Sequence, residues 1–272
     1  MASNSTDKRT DQPTVLDCLY GQAVGDALGV PFEFCTRDSF TCTGMVGHGS
    51  HDMPAGTWSD DTSMALVLCD SYRELGHIDC ADIRRRFENW LFEGAYTVDG
   101  TFDVGGATMR ALKSGYGQDG ERDNGNGSLM RTVPLAFTDA SDDEVRAVSA
   151  ITHAHETSTE ACVRMVRIAR KLVAGEAPED AILDSLELRA RPRDQIRSGG
   201  YVLDTYDAAL WCLLTTESYA GCVLEAVNLG SDTDTTAAVA GALAGIVYGR
   251  GAIPTSWLET LRGKDLIERC AF

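Results

Sequence analysis

Apolar side chains recur along this chain mostly at helical spacing. From Val15 to Leu28, residues Leu16, Leu19, Tyr20, Ala23, Val24, Ala27 and Leu28 fall on one broad face, as in a helix with a wide buried side. Asp79 to Phe92 opens with an acidic first turn and carries Ile83, Phe87, Trp90 and Leu91 at helical spacing. Glu160 to Ala174 sets Val163, Val166, Ile168, Ala169, Leu172 and Val173 among basic residues, with Gly175 placed as a C-cap. Leu203 to Leu214 and Tyr219 to Leu229 read as two more amphipathic helices, and Ala237 to Tyr248 is almost wholly apolar. The alanines and glycines of that last segment let neighbouring backbones approach closely, which predicts a helix at the centre of a bundle. No stretch sustains the alternation of a half-buried strand, so strands are expected to be few and the fold all-α.

No repeat and no low-complexity linker interrupts this pattern. The glycine-rich polar stretch Gly115 to Gly127 has apolar helical patterning on both sides, so it predicts a functional loop within one domain. The polar segment Met1 to Gln12 is expected to be a flexible tail ahead of a single domain over residues 13–272.

Composition narrows the function. A formal charge of −17 argues against nucleic acid and against an anionic membrane surface, both of which are held by Lys and Arg. No apolar run approaches the roughly 20 residues of a membrane span. The 9 cysteines are odd in number and lack a Cys-x-x-Cys pair, which reads as a reduced set and a cytoplasmic location. A monomer is expected.

Two short acidic clusters carry the candidate chemistry: Ser59-Asp60-Asp61-Thr62 and Ser231-Asp232-Thr233-Asp234-Thr235-Thr236. Each is followed by a helical run, Ser63 to Leu68 and Ala237 to Leu243. Either cluster alone reads as an ordinary N-cap. Four carboxylates at two such ends exceed what capping needs, and if the ends meet, the repulsion demands cations. Carboxylates interleaved with hydroxyls suit hard ions, Mg²⁺ first, with Mn²⁺ or Ca²⁺ as substitutes.

Four further motifs are weaker alone. Gly21 to Phe34 (GQAVGDALGVPFEF) has glycines at 21, 25 and 29, Pro31 to end the helix and Glu33 beyond it. Phe102 to Thr108 (FDVGGAT) reads as a loop entering a helix, with Asp103 as a cap. Asn126 to Arg131 (NGSLMR) closes the glycine-rich loop and could present backbone N–H groups to an anion. In Thr152-His153-Ala154-His155 a histidine acting as cap or hydrogen-bond donor is favoured over a metal ligand, because the carboxylates already signal an oxygen-ligand ion.

In order, GDALGVPFE, SDDT, FDVG, GNGSLMR, TH, GYV and SDTDT are similar to the ADP-ribosylglycohydrolase family, over roughly Leu16 to Trp257. That family includes the dinitrogenase-reductase-activating glycohydrolases and the arginine- and serine-directed ADP-ribosylhydrolases. The resemblance implies a compact, orthogonal multi-helix bundle with two Mg²⁺ ions at the bottom of a cleft, and an ADP-ribosylated protein as substrate. It makes Ser59, Asp60, Asp61, Asp232, Asp234 and Thr235 metal ligands. Glu33 and Asp103, with Asp61, become the catalytic carboxylates. Gly105, Asn126, Gly127, Ser128, Met130, His153, Tyr201, Gly230 and Ser231 become substrate-binding residues.

Two departures stand out. Ser231 replaces a usual glycine, and Ala154-His155-Glu156 lacks the usual proline, which leaves open which histidine faces the ligand. The chemistry is consistent with glycosidic cleavage through an oxocarbenium-like transition state, with a metal pair orienting ribose and water and Glu33 or Asp103 as general acid–base. Likeness of the GDALGVPFEF opening and both clusters to the bacterial, nitrogenase-regulating branch favours arginine as the acceptor over serine. The acidic field would also attract a guanidinium. A hydrolase of another nucleotide or glycoside, and a non-catalytic ADP-ribose-binding or immunity module, are the alternatives. Against the latter, all six ligand positions hold metal-competent residues.

Overall fold

The computed structural model describes residues 12–272; the expected N-terminal tail lies, but for Gln12, outside the described residues. Among the described residues the protein is built of helices, with no β-strand. In order they are α1 (Val15–Gly29), α2 (Asp60–Leu75), α3 (Cys80–Glu93), α4 (Gly106–Ser114), α5 (Leu129–Thr132), α6 (Asp142–Ala150) and α7 (Glu156–Val173). The second half continues with α8 (Pro178–Ala181), α9 (Ser185–Ala190), α10 (Val202–Thr215), α11 (Tyr219–Asn228), α12 (Thr233–Tyr248), α13 (Thr255–Thr260) and α14 (Lys264–Cys270). Among the described residues no helix is long and apolar enough to cross a membrane, and the nine cysteines, all among them, form no disulfide.

The expected helices form, with informative shifts at their starts. Asp79 caps α3 by accepting from the Ala81 and Asp82 N–H groups at 2.9 and 3.0 Å. Helix α7 begins at Glu156 instead of Glu160, because His155 Nδ1 accepts from the Thr157 N–H at 3.2 Å and caps an extra turn. Gly175 supplies the left-handed residue just past the cap of α7, at φ 88°. Both acidic clusters straddle helix starts: Ser59 is the N-cap of α2 and Asp232 that of α12, so Asp60, Asp61 and Asp234 occupy first turns while Asp232 stands just before one.

Helices α1 and α12 form the centre of the molecule, and glycine decides how they meet. A Cβ on Gly21 would stand 2.2 Å from the Gly241 carbonyl oxygen, one on Gly25 2.0 Å from that of Ala237, and one on Gly29 2.3 Å from the Asp234 Cα. Residue numbers rise along one helix as they fall along the other, so the pair is antiparallel and in backbone contact. Both are buried nearly all round, which explains why neither has a polar face. The Tyr219 hydroxyl of α11 closes the packing on the Gly21 carbonyl at 2.7 Å.

This crossing positions the site. It sets the C-terminal end of α1 beside the first turn of α12. One turn earlier on α1, Asp26 accepts from the Ser59 N–H at 2.8 Å, the Thr62 N–H at 3.0 Å and the Thr62 hydroxyl at 2.6 Å. Asp26 therefore satisfies backbone donors at the N-terminus of α2 and anchors the first acidic cluster to the same helix that touches the second.

Candidate active site

The two acidic clusters meet. Asp61 Oδ2 accepts hydrogen bonds from Ser59 Oγ at 3.0 Å and from Thr235 Oγ1, 174 residues away in sequence, at 3.3 Å. Carboxylate oxygens of Asp26, Asp61 and Asp234 all lie within 4.8 Å of one another, as do ligating atoms of Glu33, His51, Asp103 and Asp234. Ser59, Asp60, Asp61, Asp234 and Thr235 are all buried.

So many buried carboxylates cannot all ionise without compensation. Burial, then neighbouring carboxylates (Asp61 beside Asp60, Asp26 beside Asp61, Glu33 beside Asp234), holds Asp60, Asp61 and Asp234 well above the ordinary carboxylate range. Burial raises Asp232 as well, and Asp26 to about 6 against the hydrogen bonds it accepts. Burial first, then Asp103 and Asp232, pushes Glu33 up to about 9. Three of these oxygens, Asp61 Oδ1, Asp232 Oδ1 and Asp234 Oδ2, are buried without any hydrogen-bond partner. An orphaned buried acceptor is costly. Three of them in the two clusters, among carboxylates and hydroxyls with Asp61 and Asp234 oxygens within 4.8 Å of each other, fit a hard divalent cation. The cluster could bind metal.

Above it opens a cleft of about 490 Å³. Ten of the expected site residues lie on its wall. Glu33, Asp60, Asp103, Asp232 and Thr235 contribute the acidic floor; Gly105, Asn126, Gly127, Met130 and His153 form part of the sides. Ser59, Asp61 and Asp234 are enclosed behind that wall. Asn126 Nδ2 donates to Asp232 Oδ2 at 2.9 Å, tying the glycine-rich loop to the second cluster. Gly127 must be glycine, since a Cβ would stand 2.8 Å from His153 Cε1.

The histidine ambiguity resolves by position: His153 faces the cleft and His155 caps α7. Burial, then Arg131 and Arg110, lowers the His153 pKa to about 3, so the ring is neutral. Arg131 donates to Thr152 Oγ1 at 2.9 Å, and that hydroxyl lies 2.9 Å from His153 Nδ1. Arg131 takes one of the two acceptor positions of the Thr152 hydroxyl, and donation of the hydroxyl proton to Nδ1 is the arrangement that leaves the ring proton on Nε2 as a donor.

Four expected substrate-binding residues are not on the wall. The Ser128 hydroxyl is fully buried, accepting from Ser149 Oγ at 2.9 Å with Cys162 Sγ at 3.4 Å. Tyr201 is the N-cap residue of α10, and its backbone pairs with Gly125. Gly230 and Ser231 pack against the segment after Glu33: a Cβ on Gly230 would meet the Arg37 nitrogen at 2.6 Å. The Ser231 N–H donates to the Cys35 carbonyl at 2.8 Å and its own carbonyl accepts from the Phe34 N–H at 2.7 Å.

Ser231 has φ 66°, the left-handed region where a side chain is strained. Ser231→Gly is therefore expected to stabilise the protein by about 1 kcal/mol, raising Tm by roughly 2–4 °C. A melting curve with no shift, or a downward one, would show that the hydroxyl compensates the strain.

Sequence reasoning missed four residues that build the site. Asp26 and Gln22 lie on the buried face of α1, where a polar residue in an apolar helix was the available signal; Gln22 Nε2 donates to the Asp61 and Met130 carbonyls at 2.9 and 3.0 Å. Arg131, buried, donates to the Gly127 carbonyl at 2.7 Å and lies over the Phe87 ring at 4.7 Å. His51 bonds Glu33 through Nε2, and no local pattern marked it.

A family model described as ADP-ribosylglycohydrolase matches residues 6–271. The chain belongs to the ADP-ribosylglycohydrolase family. Membership makes it a glycohydrolase. It is 36% identical to the ADP-ribosylarginine hydrolase Tri1 of Pseudomonas putida (strain GB-1), over 93% of this chain and 75% of that protein. With the ADP-ribosyl-[dinitrogen reductase] glycohydrolase of Rhodospirillum rubrum it shares 33% identity, over 90% of this chain and 89% of the relative. A solved structure titled ADP-ribosylglycohydrolase-related protein complex superposes with a TM-score of 0.80 at 31% identity, covering 94% of this chain and 95% of its counterpart. The all-α bundle expected from the resemblance is thus the family fold.

Proposed function

We propose that this protein is a Mg²⁺-dependent hydrolase that releases ADP-ribose from modified arginine side chains of proteins. The observation that carries the reading is the convergence of two acidic first turns, with three orphaned carboxylate oxygens, beneath a nucleotide-sized cleft. The names of relatives at 33–36% identity support arginine as the acceptor.

Ser59, Asp60, Asp61, Asp232, Asp234 and Thr235 would hold two Mg²⁺ ions, or Mn²⁺ in their place. Bound there, the pair supplies positive charge to the ribose hydroxyls and to an attacking water. Asn126 braces Asp232, and His153 Nε2–H offers a neutral donor to the ligand on the opposite wall. The start of α4, Gly105 to Thr108, lines the cleft, and its first-turn N–H groups would let an acidic protein hold a diphosphate. Glu33, with Asp103 near it, stands where a proton can be held or moved at the leaving group. Residues 13–272 act as one domain and as a monomer in this reading, and the unpaired cysteines suit the cytoplasm.

The test is release of free ADP-ribose from arginine-modified and serine-modified peptides, with Mg²⁺ and with chelator. Faster release from arginine, lost with chelator, is expected. Faster release from serine would overturn the acceptor assignment, and equal rates in chelator would overturn the metal. Tight ADP-ribose binding without release would leave a binding module. In parallel, Mg²⁺ is expected to raise Tm, and ADP-ribose to raise it further only when Mg²⁺ is present, because the two ligands share one cleft. Equal stabilisation by ADP-ribose in chelator would count against that arrangement.

A further inference from the structure

The rim of the cleft beside Glu33 is aromatic, and its backbone is strained to keep it there. Phe34 has φ 64°, a conformation that a bulky side chain avoids, and the residue is 72% exposed although it belongs to the cleft wall. The strain is held by two backbone bonds, Phe34 N–H to the Ser231 carbonyl at 2.7 Å and Cys35 N–H to the Phe32 carbonyl at 3.0 Å. Asp103 on the facing loop is also left-handed, at φ 53°. Outliers over-determined by their surroundings point to function. The His51 ring lies between two phenylalanines, 5.9 Å from Phe34 and 5.2 Å from Phe102 between centroids. Its Nε2 bonds Glu33 and stands 4.0 Å from Asp103 Oδ1.

Aromatic faces beside two carboxylates are the chemistry that receives a planar cation: a guanidinium stacks on a ring while its N–H groups fork to carboxylate oxygens. The cations on the cleft wall, Arg110 and Arg122, belong instead to α4 and the glycine-rich loop, where Arg110 pairs with Asp123. We propose that Phe34, His51 and Phe102, with Glu33 and Asp103, form the acceptor subsite that holds the guanidinium of the modified arginine, Phe34 providing the stacking face. His51 is a positioning residue there, orienting Glu33. The proposal rests on the arginine reading above and names the residues that select it.

The experiment compares wild type with Phe34→Ala, Phe34→Leu and Phe34→Tyr in the presence of Mg²⁺. Alanine at a left-handed position is less strained than phenylalanine, so folding is retained. Two quantities are read: kcat/KM on an arginine-modified peptide, and Kd for free ADP-ribose by calorimetry. Phe34→Ala and Phe34→Leu are expected to lose about tenfold in kcat/KM while Phe34→Tyr stays near wild type. The Kd for ADP-ribose is expected to stay within about twofold in all three. Unchanged kcat/KM in Phe34→Ala, wild-type behaviour of Phe34→Leu, or an equal loss of ADP-ribose affinity would each overturn the subsite. A wild-type enzyme that cleaves serine-linked but not arginine-linked ADP-ribose would instead overturn the arginine reading, and the guanidinium subsite with it.

Discussion

Asp61→Asn is expected to lose on the order of 10³-fold in turnover, equivalent to about 4 kcal/mol of transition-state stabilisation, while its metal-free form melts higher than the metal-free wild type. The side chain touches both clusters, accepting from Ser59 and Thr235 through one oxygen and leaving the other without a partner. Asparagine keeps the shape but removes the charge that a hard cation needs.

The gain in metal-free stability follows from the same crowding. Asp61 is held well above the ordinary carboxylate range by burial, then by Asp26, Asp232 and Asp103. A carboxyl that binds its proton more tightly folded than unfolded favours folding at low pH, and the advantage fades as pH rises past about 4. The metal-free wild type should therefore lose stability from about pH 4 to the neutral range, and Asp61→Asn should lose less. Melting curves in chelator across that range, beside turnover in Mg²⁺, check both halves. Near-normal turnover, or a steeper pH dependence in the variant, would remove Asp61 from the site.

Gly25→Ala is expected to destabilise the protein by about 3 kcal/mol, lowering Tm by roughly 6–12 °C, despite the better helix propensity of alanine. The new methyl would stand 2.0 Å from the Ala237 carbonyl oxygen and 2.7 Å from its carbon. Backbone cannot rotate aside as a side chain does, so α1 and α12 must separate. Because the same contact sets Gly29 against Asp234, activity should fall along with stability. Gly251→Ala is the control: no atom lies within 4 Å of its added Cβ, and its melting temperature should match wild type. A Gly25→Ala protein as stable as that control would show that the crossing is not set by glycine.

Long helices were legible because each buries a face over several turns, and the repeat of that face is written locally. The four- to seven-residue helices α5, α8, α9, α13 and α14 were not, since one or two turns carry no period. Glu33, Asp60, Asp103 and Asp232 were legible through motifs. Asp26 was hidden within one of them: its carboxylate serves α2, a helix that begins 34 residues on, by accepting from Ser59 and Thr62. His51 was invisible because its role depends on Glu33 and Phe102, which share no pattern with it. Ser128 is a motif residue whose hydroxyl turns to Ser149 and Cys162, away from the cleft wall.

By itself, then, the sequence determined the helical class, the residue chemistry of the two acidic turns and the glycine spacing of α1, all properties of neighbouring residues and their periods. Only the tertiary structure decided that Asp61 and Thr235 meet across 174 residues, that His153 and not His155 faces the cleft, and that Phe34 is held out at its rim. The reason is that these juxtapositions depend on which backbone can approach which. Gly21, Gly25 and Gly241 have no side chain in the way, and the register they allow carries the carboxylates together.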